Sequence, residues 1–314
     1  METQMKQPNI SQESFTFVPT NYKKAETIDS PTYSYWQSVW RTFKSNKVAM
    51  IFLGILLLVC LMSFIQPMFS NYDPMDSTNI NDMSRRYIEP NSEFWFGTDA
   101  NGQSLFDAVW AGAKTSISIS VLATIITVTI GVIVGSFWGL SQKIDKVMLE
   151  IYNIFGNIPM LLIVIILAYA MGNGFWNLLL AMTLTSWIFT AYFIRVQVMI
   201  MRDREYNMAS RTLGTPSRRI IFKNIMPYLT SVIMTDVSRA LPGFIGAETF
   251  LSFLGVGLSA DVISLGGLIK LYSTNLSTKP YLFWIPVSVL ALISISLYVV
   301  GQALADATDP KNHV

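Results

Sequence analysis

Three ionisable residues interrupt an apolar stretch of the sequence. Asp236, Arg239 and Glu248 lie within residues 229–251, which are otherwise apolar or weakly polar. Ionisable groups inside a membrane span are costly and usually face a bundle interior or a water-filled path. Asp236 and Arg239 are three residues apart, so on a helix they share a face and could pair. Two interpretations stay open for them, a structural ion pair and a wall of a polar pathway. Glu248 has no charged partner nearby, which leaves a pathway, an inter-subunit and a structural role open.

The sequence lacks the residues and motifs of the common enzyme classes. The single cysteine, Cys60, and the single histidine, His313, exclude a His/Cys zinc site and a serine protease triad within the chain. No GxxxxGK[ST] phosphate loop and no HExxH motif occurs. An intramembrane aspartyl protease needs two aspartates in its spans, and only Asp236 qualifies. We therefore predict a non-enzymatic protein that holds no metal and no cofactor of its own.

A second candidate site is a basic segment, residues 195–228, between two apolar regions. It carries seven of the 22 Lys and Arg residues of the chain. Asp203 is expected to cap a short helix that runs to Leu213. Gly214 then suits the left-handed residue that ends a helix, and Pro216 suits the first turn of the next one.

One face of this short helix has small and apolar side chains. Tyr206, Ala209, Ser210 and Leu213 fall at i, i+3, i+4 and i+7, which places them in one narrow stripe. Positive residues hold a loop on the inner side of a membrane, which explains the charge of the segment but not the stripe. Because small side chains permit close approach of another surface, we predict a docking element for a cytoplasmic partner.

The composition indicates that these sites lie in a membrane protein. The chain has 314 residues, of which 52% are hydrophobic and only 13% charged, against about 25% charged in a typical soluble domain. The net charge of +2 is too small to suggest a nucleic-acid partner. A helix needs about 20 apolar residues to cross the bilayer. We predict an all-α polytopic protein with six transmembrane helices, in residues 48–69, 115–142, 151–171, 175–194, 229–251 and 280–305.

The distribution of basic residues predicts the orientation. The segments assigned to the inner side carry sixteen Lys and Arg residues and the outer segments five, so both termini are expected in the cytoplasm. Residues 1–32 read as a flexible cytoplasmic tail without a secretory signal, and residues 306–314 as a second tail. Residues 33–47, with Trp36, Val39, Trp40 and Phe43 at helical spacing, are predicted as an interfacial amphipathic helix. Residues 70–114 are the predicted extracytoplasmic loop, in which DANGQS at Asp99–Ser104 is expected to form a turn.

The basic segment resembles the cytoplasmic loop shared by the inner-membrane permease subunits of ABC importers. That loop has the pattern EAA, three residues, Gly, and a downstream Ile/Leu-Pro. Met208 stands here for its Glu, and Ser210 for its second Ala. The version of the oligopeptide/dipeptide branch, EYxxAARxLG, is a closer match. The resemblance implies ATPase-coupling residues at Glu205, Tyr206, Ala209, Ser210, Arg211, Leu213, Gly214 and Pro227.

Further motifs resemble the C-type permease of that branch along nearly the whole chain. Gly102–Ser104 reads GQS where the family has GRD, so no role of that Arg and Asp is carried over. The predicted outer motif FGTD consists of Phe96, Gly97, Thr98 and Asp99. The other matching motifs are GAKTSISI at Gly112–Ile119, NIPMLL at Asn157–Leu162, ETFLSFLGVG at Glu248–Gly257 and DATDP at Asp306–Pro310.

The resemblance implies a type I ABC importer permease fold, with residues 115–305 as the permease domain and a coupling helix at Glu205–Gly214. The implied partners are a homologous permease subunit, two cytoplasmic ATPases that bind ATP and Mg, an extracytoplasmic peptide-binding protein and the lipid bilayer. The alternatives are a self-sufficient secondary transporter of a small solute, and an ABC importer permease for dipeptides or nickel. A channel subunit is a further alternative, although GVG at Gly255–Gly257 is too short for a selectivity filter.

Overall fold

The computed structural model describes residues 34–70, 72–76 and 82–309. Within these ranges the regular structure is helical, apart from one isolated bridge between Thr98 and Ser104. The helices are α1 Tyr35–Ser45, α2 Lys47–Phe69, α3 Leu105–Leu140, α4 Gln142–Gly156, α5 Met160–Met171, α6 Phe175–Arg202, α7 Glu205–Thr212, α8 Ser217–Arg219, α9 Met226–Leu254, α10 Leu265–Tyr272 and α11 Pro280–Thr308. A π-helical turn, Ile220–Ile225, joins α8 to α9. The predicted tail at residues 1–32 lies outside the described residues, as do the last five residues of the predicted C-terminal tail.

Four helices are long and apolar enough to cross a membrane, namely α2, α3, α6 and α11. Helices α4 and α5 pass the same test together but bend by 80° at the break between them, which makes a fifth span if the pair is one crossing. Helix α9 has 29 residues but is not among the candidate spans. The all-α fold is therefore confirmed, whereas the count of six spans stays a prediction.

Two helices differ in their bounds from the predicted segments. Helix α3 begins at Leu105 rather than at residue 115, because Ser104 caps it by accepting a hydrogen bond from the backbone N–H of Asp107. Its 36 residues extend for about 54 Å, so the end of the predicted outer loop is helical. The third predicted span, residues 151–171, is broken at Pro159, where α5 begins with a change of direction.

Helices α3 and α6 pack closely along a row of glycines. Gly131, Gly135 and Gly139 recur every four residues of α3. Each contacts α6, at residues near Ala191 or Val198. A side chain at Gly135 would collide with the carbonyl oxygen of Ala191. Small residues at such a seam let two backbones approach each other closely. This seam fixes α6, which leads directly into the basic segment.

The structure divides into a short unit that ends at Ser38 and a second unit from Val39 onward. In the second unit, Val39 and Phe43 of α1 are buried with Ala49, Ala303 and Ala307. Trp40 remains half exposed, and the ammonium of Lys44 lies 5.0 Å from its ring centroid. Part of the apolar stripe of α1 therefore packs on protein, and its interfacial placement stays a prediction.

Candidate functional site

The basic segment contains the predicted short helix, with a different N-terminal cap. Helix α7 begins after Arg204, which occupies the cap position without a side-chain hydrogen bond. The prediction that Asp203 caps this helix is wrong, because Asp203 ends α6 and its carboxylate pairs with Arg202 at 3.1 Å. Leu213 is the C-cap residue of α7, one position past the last helical residue.

Gly214 ends the helix as predicted. Its φ is +79°, in the left-handed region that side chains disfavour. The N–H of Gly214 donates to the Arg211 carbonyl at 2.9 Å, and the N–H of Thr215 donates to the Ser210 carbonyl at 3.0 Å. Nothing lies within 4 Å of the position that a Cβ would take at Gly214. The demand for glycine here is therefore conformational and not steric.

The predicted stripe is largely exposed, although Tyr206 lies near the Tyr228 ring, with 6.4 Å between the centroids, and Ser210 accepts a hydrogen bond from Asn224 at 3.4 Å. Leu213 is 85% exposed and Tyr206 44% exposed, and Ala209 is exposed as well. Ser210 is half buried, and its hydroxyl donates to the Tyr206 carbonyl at 2.8 Å. Exposed apolar side chains on a short polar helix are available for contact with another surface.

The opposite side of α7 is held by a residue that sequence reasoning missed. Asn207 is fully buried, and its amide donates to the Met201 carbonyl at 2.9 Å. Its side-chain oxygen accepts a hydrogen bond from Asn224 at 3.0 Å. Since Asn224 lies in the π-helical turn, this clasp fixes α7 to the chain that leads into α9. No local pattern marks the pair, because the partners are seventeen residues apart.

The π-helical turn itself is anchored in the core. Ile220 and Ile225 are buried with Ile194, Val198 and Leu229. Pro227, the last residue of the predicted coupling motif, lies in the first turn of α9, immediately after the π-helical turn. The exposed helix α7 is thus attached to a buried segment that connects α6 to α9.

Arg195 is buried between helices, although the sequence places it in the basic loop segment. It lies inside α6, is only 8% exposed, and forms a two-point ion pair with Asp145 of α4. The indole N–H of Trp138 donates to the same carboxylate at 2.7 Å. The guanidinium also lies over the rings of Trp138 and Tyr192. Arg195 therefore joins α3, α4 and α6, whereas the sequence alone counted it among the charges of an inner loop.

The predicted ion pair between Asp236 and Arg239 is absent from the ion pairs of the described residues. The Asp236 carboxyl interacts with the hydroxyl of Thr190 on α6 and, without direct contact, with the charge of Arg239. Arg239 extends over the ring of Phe193, with 5.5 Å between the guanidinium carbon and the ring centroid. Both side chains line a cavity of about 480 Å³ together with Ser186, Thr190 and Phe193 of α6. Their position at a cavity agrees with the pathway interpretation, and both interpretations stay predictions.

Glu248 is fully buried and does not reach the subunit surface. Its carboxylate accepts hydrogen bonds from Ser116 of α3 at 2.8 Å and from Ser252 at 2.7 Å. The Ser116 hydroxyl oxygen also accepts the backbone N–H of Leu265, the first residue of α10, at 3.2 Å. Glu248 therefore joins α3, α9 and α10, which favours the structural interpretation over a contact between subunits.

The FGTD motif forms a folded turn before α3. Gly97 has a φ of +79°, and a side chain there would collide with the Ile88 carbonyl and the Tyr281 ring. The Thr98 hydroxyl accepts the N–H of Ile88 at 2.9 Å and donates to the Arg85 carbonyl at 2.6 Å. The phenyl ring of Phe96 meets that of Phe106 edge-on, with 5.0 Å between the centroids.

Asp99 closes the turn that the sequence predicts at Asp99–Ser104. Its carboxylate accepts the N–H groups of Asn101 at 2.8 Å and Gln103 at 2.9 Å. The hydroxyl of Tyr272, in α10, donates to the other carboxylate oxygen at 3.1 Å. Burial and the adjacent Asp99 raise the pKa of Tyr272, so its hydroxyl stays a donor. The motif therefore attaches the loop to α10.

Comparison with known proteins assigns the chain to a family. Residues 128–314 match the family described as the inner membrane component of binding-protein-dependent transport systems. Residues 34–90 match the N-terminal transmembrane domain of oligopeptide transport permease C.

Several relatives match over almost their whole length. The oligopeptide transport system permease protein AmiD of Streptococcus pneumoniae is 57% identical over 97% of this chain and 99% of its own. The oligopeptide permease OppC of Bacillus subtilis is 36% identical over 96% of this chain and 98% of its own. The dipeptide permease DppC of Bacillus subtilis is 34% identical over 99% of this chain and 97% of its own.

A solved structure shares the fold. The MetNI methionine ABC transporter matches with a TM-score of 0.55 and 16% identity, over 64% of this chain and 96% of the matched chain. The predicted type I importer permease fold is thereby confirmed, and the apolar helices make the chain a multi-pass membrane protein. The chain belongs to the family of binding-protein-dependent transport system inner membrane components, in its oligopeptide/dipeptide permease C branch.

Proposed function

We propose that this chain is a permease subunit of an ATP-driven oligopeptide importer and forms half of the translocation pathway. The observation that carries the proposal is the 57% identity to an oligopeptide permease over 97% of the chain. The exposed helix α7 supports it, because a subunit without its own phosphate loop needs a contact through which ATP-driven motion can reach it. Oligopeptide is preferred over dipeptide because the dipeptide relative is less similar, at 34% identity.

In the proposed importer this chain contacts or works with four kinds of partner. A homologous permease completes the pathway as a heterodimer, and two cytoplasmic ATPase subunits bind ATP and Mg. An extracytoplasmic binding protein delivers the peptide, and the bilayer surrounds the apolar helices. The excess of basic residues in the segments assigned to the inner side supports cytoplasmic termini. This chain itself holds no cofactor in the proposal and catalyses no reaction.

Helix α7 is the proposed coupling element. Its stripe of Tyr206, Ala209, Ser210 and Leu213 would enter a groove of one ATPase, and Gly214 would set the angle at which the chain leaves that contact. ATP binding can shift the permease between inward-facing and outward-facing states only if the two states make different contacts at this joint. The clasp between Asn207 and Asn224 supports this role, since it would transmit movement of α7 to α9 and its cavity.

Uptake into proteoliposomes tests the proposal. The chain, its partner permease and the binding protein are reconstituted with or without the ATPase subunits, and uptake of a labelled pentapeptide is measured with ATP supplied on the ATPase side. We expect uptake only with both ATP and the ATPases. Uptake driven by an ion gradient without the ATPases would instead establish a secondary transporter. ATP-driven uptake restricted to dipeptides or nickel would retain the importer and refute the oligopeptide substrate.

A further inference from the structure

The cavity at Asp236 contains polar groups of both signs that the subunit leaves without full partners. One carboxylate oxygen of Asp236, Oδ2, is buried and has no hydrogen-bond partner within the described part of the chain. The neighbouring Thr190 hydroxyl interacts with the same carboxyl group. Arg239 lies over the Phe193 ring and takes part in no hydrogen bond or ion pair among the described residues. A donor set and an acceptor therefore border the same space.

This arrangement is unusual for two opposite charges one helical turn apart. Such groups in an apolar environment generally pair with each other, because an unpaired ionisable group there is costly. Glu248 on the same helix shows the usual solution, since its carboxylate accepts hydrogen bonds from two serines. The charge of Arg239 acts on Asp236, but the two side chains form no contact ion pair among the described residues. Both side chains line the cavity, where a bound ligand would meet them.

The spacing of the two groups fits one end of a peptide. A carboxylate accepts N–H donors, and a guanidinium donates to carbonyl oxygens. Side chains one helical turn apart have Cβ atoms about 5–6 Å apart, and a peptide advances about 3.3–3.6 Å per residue. A terminal ammonium and a carbonyl one or two residues further along the peptide therefore match the separation of the pair.

We propose that Asp236 binds the α-ammonium group of a transported peptide and that Arg239 binds the backbone carbonyl oxygens that follow it. This inference rests on the proposed oligopeptide function and names what the site recognises. The volume of about 480 Å³ lies within the 300–1,000 Å³ that small-ligand cavities occupy, so the site accommodates one end of the cargo. The apolar walls of the cavity, with Met160 and Phe189 among them, accept varied side chains. Every peptide with a free amino terminus carries the recognised groups, whatever its sequence.

The test compares two peptides on the reconstituted importer. ATP-driven uptake of a pentapeptide with a free amino terminus and of its N-acetylated analogue is measured for the wild type and for Asp236→Asn. We expect Asp236→Asn to lower uptake of the free peptide about tenfold, the effect of losing one charge-assisted hydrogen bond. Uptake of the acetylated peptide stays unchanged. Because each peptide is compared with itself, any preference of the binding protein cancels.

A matched control lies on the same helix. Thr235 is outside the cavity and donates to the Ser231 carbonyl at 2.9 Å, so Thr235→Val should leave uptake of both peptides unchanged. Equal losses of both peptides in Asp236→Asn, or no loss of either, would overturn the inference. If Asp236→Asn fails to co-purify with the ATPases, Asp236→Glu replaces it, and a retained preference for the free peptide supports the site whereas a lost preference refutes it. A wild-type importer that takes up neither peptide with ATP present refutes the proposed function itself.

Discussion

Two regions of this permease differ in whether their polar groups have hydrogen-bond partners within the chain. The closed region, formed by the Glu248 network and the Phe96–Asp99 turn, gives its buried carboxylates hydrogen-bond donors from several elements. The open region, formed by the Asp236 cavity and the surface of α7, leaves one carboxylate oxygen of Asp236 without a hydrogen bond and the side chains of Ala209 and Leu213 exposed within the described chain. Fully satisfied buried polar networks stabilise a single arrangement, whereas an unsatisfied buried polar group costs free energy until it finds a partner. We therefore assign the closed region to the fold and propose that the open region serves transport.

The largest loss of stability is expected for Glu248→Ala. The substitution removes the acceptor of Ser116 and Ser252 and leaves their hydroxyls buried without it, which costs about 2–4 kcal/mol. Thermal unfolding in detergent and the yield of folded protein measure the effect. Glu248→Gln, which keeps an acceptor oxygen, should lose less. A stable Glu248→Ala variant with impaired uptake would show that Glu248 serves transport rather than the fold.

Asp99→Ala should have the next largest effect. The carboxylate accepts two backbone N–H groups and the Tyr272 hydroxyl, and their loss is expected to cost about 1–3 kcal/mol. Unfolding temperature reports the loss, and limited proteolysis between Tyr87 and Leu105 should show where the chain opens. Asp99→Asn retains one acceptor oxygen and serves as the milder control. Unchanged protease resistance in Asp99→Ala would show that the turn does not depend on this carboxylate.

Gly214→Val should affect coupling more than stability. A β-branched residue in the left-handed region costs about 1–2 kcal/mol, and the open space around Gly214 adds no collision. We expect normal insertion and folding, with reduced peptide uptake per ATP hydrolysed. Gly214→Asn is the matched control, because Asn tolerates this conformation and should retain uptake. Normal uptake by the valine variant would rule out a coupling role for this joint.

The sequence predicts those features that depend on residues near one another in the chain. The left-handed Gly214, the turn closed by Asp99 and the stripe on α7 all follow from local spacing, and the structure contains each of them. The motifs also led to the correct family.

The features that sequence reasoning missed depend on contacts between distant residues. Ser116 and Glu248 are 132 positions apart, and Arg195 and Asp145 are 50 positions apart, so no local pattern connects them. The expected pair of Asp236 and Arg239 failed for the same reason, because Thr190 and Phe193 on another helix compete for these two side chains. The early start of α3 was hidden by Asp107 and Lys114, whose charges looked like part of a loop.

Cross-linking from α7 tests the proposed coupling between ATP and transport most directly. Cys60 is the only native cysteine, so Leu213→Cys in a Cys60→Ser background gives one exposed position for a photoreactive maleimide. Irradiation of the assembled importer should join this chain to an ATPase subunit, and the yield should change when ATP is added. The same probe at Met75, in the predicted outer loop, should give no such product. Labelled Leu213→Cys that forms no cross-link to an ATPase in a transporting complex would contradict the claim that α7 couples ATP to transport.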